Sequence, residues 1–206
     1  VAKNNEFINF AEEVSTLALV NSGKIDDILD SKMKNKKNVK DNLVDLISKI
    51  GEKIYLKRAA FLGESKLKNF SYTHAPIKKN IGKLGVLLSL DTTKSKNEIL
   101  ELGKQLSMHI AASSPLAIDK DGINPSILKK EKEIVTEELK NTGKDPKILD
   151  KIVSGKVNKF ITDNTLLNQE WIMDPKTKVK DVIKKAAGND KINIEKFIRF
   201  RVGEGL

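Results

Sequence analysis

Apolar side chains recur every three or four residues in several stretches of this chain, which is the spacing of one face of an α-helix. The pattern predicts a first helix over residues 7–18, ended at Gly23, and a second over residues 39–50. Gly51 follows the second helix directly, where glycine tolerates the left-handed backbone that often ends a helix. Ser95 and Glu98 have the spacing of a capping box and predict another helix that begins near Ile99.

Two further helices are predicted to pair with each other. Asn124-Pro125 and Asp145-Pro146 each place a capping side chain before a proline, which suits the first turn of a helix. Gly143 falls in the short connection between them, and two helices joined by so short a turn must lie antiparallel. Their outward positions are mostly Lys and Glu, so we expect an exposed helical arm. A short helix is predicted around residues 179–183.

Elsewhere the apolar positions alternate, which is typical of strands. Four strands are predicted, over residues 53–62, 70–74, 84–90 and 192–202, with a hairpin turn at residues 63–65. Successive runs of this kind favour antiparallel pairing and an α+β fold. We expect two lobes with small antiparallel sheets packed by helices, plus an inserted antiparallel helical hairpin.

The predicted elements divide the chain into four segments. Residues 1–64 form a first core lobe that we expect to be incomplete, and residues 65–122 and 165–206 form the two parts of a second lobe. Residues 123–164 form the helical hairpin between those two parts. Because Val1 is not a natural start, we expect the chain to be a fragment, a processed product or an incompletely recorded sequence.

Composition narrows the class of protein. The 206 residues are 39% hydrophobic, contain no cysteine and carry a formal net charge of +10. No apolar run approaches the about 20 residues that a membrane-spanning helix needs. The basic charge is compatible with a nucleic acid or an acidic protein as partner. Aromatic residues make up only 5%, and the densest basic run, Lys32 to Lys40, is interpreted as a solvated loop, so a nucleic-acid partner is the less favoured reading.

Residues for covalent chemistry are not apparent. Two histidines without cysteine cannot build the usual zinc site, and no phosphate-binding loop or nucleophile motif occurs. We therefore predict no catalytic residue, no metal site and no cofactor. A hydrolase with an unrecognised pair of carboxylates stays as a third alternative, but no pair is singled out.

Three large side chains have two interpretations each. His109 lies beside Leu106 and Ile110 on an amphipathic helix and is expected to be packed in the core. Trp171 is expected to fill the core rather than to anchor a partner. His74 ends a strand before a loop with Pro76, where side chains reach partners, although alone it would read as an ordinary surface histidine.

Three blocks of sequence, in order along the chain, carry a resemblance to a known family. They are Ile50-Gly51-Glu52-Lys53-Ile54-Tyr55-Leu56-Lys57-Arg58-Ala59-Ala60, Met108-His109-Ile110-Ala111-Ala112-Ser113 and Phe197-Ile198-Arg199-Phe200-Arg201-Val202-Gly203-Glu204-Gly205. Together they resemble elongation factor Ts, and the resemblance runs from Val1 to Leu206. It implies a guanine nucleotide exchange factor that promotes GDP release from the GTPase elongation factor Tu, in the bacterial cytoplasm or an organelle. The alternative function is that of a basic nucleic-acid-binding protein.

The resemblance also implies the residues of the contact. Ile50 and Gly51 match the corner that packs beside the family's phenylalanine wedge, and His74 matches the histidine that presses toward the GTPase's phosphate-binding loop. Val1 and Ala2 match the positions directly after the Thr-Asp-Phe motif that carries that wedge. Residues 75–80 form a longer loop than is usual in the family.

Two elements receive a role from the resemblance as well. The family's β-hairpin before the motif implies a pairing partner for the predicted strand Lys53 to Leu62, which would otherwise have an unpaired edge. The 124–164 hairpin resembles the family's coiled-coil arm, which is implicated in self-association.

Overall fold

The computed structural model describes residues 1–140 and 145–204, so Gly143 and Gly205 lie outside the described residues. Within that part of the chain the elements follow one another as α1 (Asn5–Val20), α2 (Ile25–Asp30), α3 (Val39–Ile50), β1 (Lys68–His74), β2 (Leu84–Thr92), α4 (Leu100–Ser113), α5 (Pro125–Leu139), α6 (Pro146–Asn164), β3 (Glu170–Trp171), β4 (Asp174–Lys178), α7 (Val179–Ala187) and β5 (Ile192–Arg201). Short 3-10 turns lie at Lys120–Gly122 and Leu166–Asn168. The α+β class is confirmed.

The main sheet has the order β1-β2-β5, and both pairings are antiparallel. Four alternate residues of β2 are buried on the face that packs against α4: Leu84, Val86, Leu88 and Leu90. Gly103 of α4 lets the helix approach this face, because a Cβ there would lie 2.4 Å from the Phe70 ring. A register shift beside Ser89 and Leu90 divides β5 into two stretches of pairing.

Several helix boundaries follow the predicted local signals. Helix α3 ends at Ile50, and Gly51 follows in the left-handed region with a φ of 77°. Asn124 caps α5 and Asp145 caps α6, each with a proline in the first turn. The capping box at Ser95 and Glu98 is formed in both directions, with donor–acceptor distances of 2.8 and 3.4 Å. Helix α4 itself begins at Leu100, close to the predicted start, after a turn over 96–99.

The prediction of a strand at residues 53–62 is wrong. No strand lies in the described residues 1–64, which contain only an isolated bridge between Lys32 and Asn38. Residues 53–62 instead have no ladder partner, and Leu56 and Ala59 pack against the α1–α3 helices. Burial of Leu56 against helices therefore accounts for part of the apolar pattern here. A turn is present, but it runs from Glu64 to Leu67 and leads into β1. Because no strand precedes it, it does not connect a hairpin as predicted.

Two other local expectations change. The piece after Thr165, expected to be irregular, contains a small hairpin of β3 and β4, with Pro175 in β4. Helix α2 was not predicted, because six residues are too few to show a periodic apolar face. Its Ile28 is nevertheless fully buried.

Helices α5 and α6 form the arm, and they run antiparallel as predicted. Val135 and Val153 are buried between them, and Lys156 Nζ of α6 lies 2.8 Å from Glu138 Oε2 of α5. At the base, Ile123 and Ile161 pack with Ala117 in a small apolar cluster. The domain boundaries proposed from the sequence stay predictions.

Candidate partner-binding surface

Val1 and Ala2 lie in a turn directly before α1. The Val1 carbonyl accepts a hydrogen bond from the Asn4 N–H at 2.8 Å. Asn4 then caps the helix, because its Oδ1 accepts from the N–H groups of Glu6 and Phe7 at 2.8 and 3.1 Å. The start of the chain is therefore held in place by the first turn of α1.

The corner at Ile50 and Gly51 lies at the same end of α1. Lys49 Nζ reaches Glu6 Oε2 across 3.1 Å, which joins the last turn of α3 to the first turn of α1. Ile50 is half-buried and Gly51 is exposed. No atom lies within 4 Å of the position that a Cβ on Gly51 would take, so its backbone is open to close approach from outside.

His74 lies at the end of β1 and is exposed, as expected. Its Nδ1 is 3.1 Å from the Tyr72 hydroxyl, which lies on the same face of the strand and steadies the imidazole. The loop that follows closes as a tight turn, with Ile81 N–H donating to the Lys78 carbonyl at 2.9 Å. From this turn Lys78 Nζ reaches Glu12 of α1, across 2.9 Å.

Helix α1 thus lies between the two groups of predicted site residues. Glu6 faces the Gly51 corner and Glu12 faces the His74 loop, and a rise of about 1.5 Å per residue separates them by about 9 Å along the axis. We call Val1, Ala2, Ile50, Gly51 and His74 the candidate face. The four ion-pairing residues that flank it were missed in the sequence, since charges far apart in the chain give no local pattern.

A groove of about 600 Å³ continues from the candidate face between α1 and α3. Its floor is apolar and its rim is polar: Phe10, Met33 and Leu46 lie below, while Glu13, Asn35 and Asp45 are among the rim residues. Lys37 in the basic run pairs with Asp45 at 2.8 Å, and this hydrogen bond raises the pKa of the lysine. At least this lysine of the run is therefore engaged within the protein.

His109 and Trp171 are both buried, as predicted, and their rings stack with centroids 5.2 Å apart. Gln169 donates through Nε2 to the carbonyls of Ser113 and Asp163 at 3.3 and 2.8 Å. Its Oε1 must therefore accept from His109 Nε2, which lies 3.0 Å away. This arrangement holds the base of the arm, through Asp163, against α4.

The same network fixes the protonation state of His109. Its Nδ1 accepts from the Ile172 N–H at 3.4 Å, so a proton on Nδ1 would face another donor. Burial lowers the pKa of His109, and the hydrogen bond with Gln169 opposes that shift only in part. His109 is therefore neutral and is a structural residue of the core.

In the described part of the chain, no group of three or more His, Cys, Asp and Glu side chains is placed to hold a metal ion. Over the same residues no helix combines the length and the apolar character that crossing a membrane requires.

Comparison with known proteins decides the family. A family model described as elongation factor TS matches residues 1–204. The chain is 34% identical over 206 residues to elongation factor Ts of Gluconobacter oxydans, covering all of this chain and 67% of that protein. It is 36% identical over 208 residues to elongation factor Ts of Zymomonas mobilis and 35% identical over 209 residues to that of Rickettsia bellii, covering 68% and 67% of them.

The chain belongs to the elongation factor Ts family. It spans about two thirds of the length of these relatives. Membership in the elongation factor Ts family supports the function that the resemblance implied, guanine nucleotide exchange on elongation factor Tu in translation elongation. The alternative of a basic nucleic-acid-binding protein is not favoured.

Proposed function

We propose that the chain promotes GDP release from elongation factor Tu by contacting its nucleotide domain with the candidate face. Ile50 supplies an apolar contact, Gly51 allows close backbone approach, and His74 presses toward the phosphate-binding loop. Val1 and Ala2 continue this contact at the start of α1. The observation that supports the proposal is the position of α1, whose Glu6 and Glu12 tie both groups of residues to one helix.

The mechanism is a preference for one conformation of the partner. A factor that binds the nucleotide-free GTPase more tightly than the GDP-bound form must weaken GDP by the same ratio, because the coupling is reciprocal. Weakening GDP a thousandfold takes about 4 kcal/mol of coupling. Mg²⁺ and backbone amides hold the nucleotide's phosphates, so displacement of the elements that support them is the expected lever. No covalent bond is made or broken in this scheme.

Release of labelled GDP from purified elongation factor Tu tests the proposal. The chain should accelerate release, and the complex should dissociate when GDP and Mg²⁺ are added together. His74→Ala should slow the stimulated release by roughly threefold to tenfold, or about 0.7–1.4 kcal/mol. A chain that neither binds elongation factor Tu nor accelerates release would refute the proposal.

A matched control separates contact from folding. Asn193 is exposed at the far end of the main sheet, opposite Asp91, whereas His74 is opposite Leu84 at the near end. Asn193→Ala should leave release unchanged. Tyr72→Phe removes the hydroxyl near His74 but keeps the ring, so it should produce a smaller loss than His74→Ala.

We also propose that the arm mediates self-association, as the resemblance implies. Ile127, Ile134 and Ile148 are exposed on α5 and α6 although both helices are otherwise rich in Lys and Glu. Sedimentation equilibrium should show a dimer that Ile134→Lys weakens, with Lys130→Glu as a control of similar size. The compartment that fits translation elongation is the cytoplasm of a bacterium or the interior of an organelle.

A further inference from the structure

Residues 52–64, which we call the strap, connect the α1–α3 helices to the main sheet. One side of the strap packs on the helices, through Leu56 and Ala59. The contact is close at Gly23, where a Cβ would lie 2.8 Å from the Ala60 Cα. The strap is therefore fitted against the helices by shape, and its backbone has no ladder of strand hydrogen bonds there.

Arg58 points from the strap to the end of β5. One guanidinium nitrogen donates to the Arg201 carbonyl at 2.9 Å, and the other lies 3.9 Å from Glu204 Oε2. The guanidinium carbon is also 4.7 Å from the centre of the Phe200 ring, in a cation–π arrangement. A planar fork with several donors suits such a three-part contact, and lysine cannot reproduce it.

The end of β5 that receives Arg58 is itself fixed to the sheet and to α4. Arg199 donates through Nε to the Ala111 carbonyl at 3.3 Å, and its guanidinium lies 3.0 Å from Glu204. The Val202 N–H donates to the Lys83 carbonyl at 2.8 Å, close to the start of β2. Arg58 thus connects the strap to a rigid part of the molecule, near the strand end that pairs with His74.

We infer that Arg58 is a positioning residue, which holds Ile50 and Gly51 at a fixed distance from His74. The inference rests on the proposed function, in which both groups contact one GTPase domain. His74 can displace elements of the GTPase only if Ile50 and Gly51 stay in contact with it. A fixed distance between the two groups keeps both contacts in place. Because the Arg58 side chain is 36% exposed, its ion pair with Glu204 adds little to overall stability, and the role of the side chain is geometric.

Distance measurements by electron paramagnetic resonance test the geometry without any activity. The chain has no cysteine, so Lys40→Cys on α3 and Asn193→Cys on β5 give two unique sites for spin labels. Arg58→Ala should broaden the distance distribution, and Arg58→Lys should broaden it less. Arg201→Ala is the matched control, since it removes a nearby exposed arginine but keeps the carbonyl that Arg58 uses.

Exchange kinetics test the consequence. For Arg58→Ala we expect kcat for GDP release to fall about tenfold, equivalent to about 1.4 kcal/mol, with KM for elongation factor Tu·GDP within about twofold. The kcat of Arg58→Lys should lie between that of Arg58→Ala and that of the parent chain. The kcat of Arg201→Ala should equal that of the parent chain. A structural role alone would instead lower the amount of folded protein and leave the kcat of the folded fraction unchanged.

Several outcomes would overturn the inference: an unchanged distance distribution in Arg58→Ala, an unchanged kcat, or a rise in KM alone. If Arg58→Ala does not fold, Arg58→Lys supplies the same two measurements. A parent chain that fails to accelerate GDP release would refute the proposed function, whereas the distance measurement would still report whether Arg58 holds the junction.

Discussion

The α1–α3 helices and the main sheet with α4 differ sharply in how much core each has. In the described residues, the cluster around the sheet contains sixteen buried apolar side chains, while the cluster among α1, α2 and α3 contains four. Four of the five residues of the candidate face, Val1, Ala2, Ile50 and Gly51, belong to the region with the smaller core. A small core leaves fewer packing contacts to fix a contact surface. The strap and two exposed ion pairs link this region to the rest of the molecule.

The comparison also separates the two histidines. His109 lies in the larger core and is held by Gln169 and Ile172, while His74 is exposed at the end of β1. The buried histidine serves the architecture and the exposed one is available to a partner. Residue type alone would not distinguish them, and their surroundings do.

The largest effect on stability is expected from truncating a fully buried side chain in each region. Leu106 of the larger core and Ile28 of the smaller core are equally buried. Leu106→Ala should lower the free energy of global unfolding by about 3–5 kcal/mol, because it opens a cavity in the larger core. Ile28→Ala should lower the free energy of unfolding by about 2–4 kcal/mol. Its loss of hydrogen-exchange protection should be confined to the amides of α1–α3. Equal loss of protection over the whole chain in both variants would show that the two regions unfold as one unit.

Two glycines with positive φ sharpen the comparison within the smaller region. Gly23 has a φ of 75° and faces the Ala60 backbone, whereas Gly51 has a φ of 77° and open space around it. Gly23→Ala should therefore destabilise by about 2–3 kcal/mol, from a backbone clash added to the left-handed conformation, and Gly51→Ala by only about 1 kcal/mol. Urea unfolding measures both.

Gly51→Ala should still reduce stimulated GDP release, because the added methyl group would keep the partner from approaching the backbone closely. If Gly51→Ala exchanged nucleotide as fast as the parent at full folding, close backbone approach at Gly51 would be wrong.

The acid stability of the larger region should depend on His109. Its pKa is lowered in the folded state, so the unfolded chain takes up the proton first, and stability falls as the pH drops below about 6.5. Above that pH the stabilising effect is fully present. One proton gives a slope of at most about 1.4 kcal/mol per pH unit. Urea midpoints between pH 5 and 8 should show the slope in His74→Ala and lose it in His109→Gln, and a slope that survives in His109→Gln would assign it to carboxylates instead.

The smallest effect on stability is expected at the Lys78–Glu12 pair, whose side chains are 49% and 41% exposed. Lys78→Ala should cost about 0.5 kcal/mol or less. It should nevertheless slow GDP release, since the pair ties the His74 loop to α1. Lys129→Ala, which removes an exposed pair with Glu133 on the arm, is the control and should leave release unchanged.

Local signals were sufficient for much of the helical structure. The end of α3 at Gly51, the starts of α5 and α6 at their Asn-Pro and Asp-Pro pairs, and the capping box at Ser95 are all decided within four residues of sequence. The apolar alternation of β2 was equally clear, because one face of that strand packs on α4. In the strap the same alternation gave a wrong prediction, since alternating burial does not show whether a partner strand lies alongside.

The candidate face as a whole was predicted only through the resemblance, although the position of His74 at the end of a strand already pointed to a partner. Nothing in the residues around Ile50 or His74 indicates that they lie near the same helix, because the ion pairs that link them join positions 43 and 66 residues apart. The role of Arg58 was not visible for the same reason, since its acceptor is 143 residues away in the chain.

The sequence by itself determined the helix ends, the composition of the larger core and the membership of a family, because each depends on neighbouring residues or on ordered blocks of them. Only the tertiary structure decided where the candidate face is assembled, which groups hold His109 in the core and what connects the helices to the sheet. Those features depend on contacts between distant parts of the chain. Such contacts form when burial of the two cores brings the parts together, and no local pattern of residues encodes them.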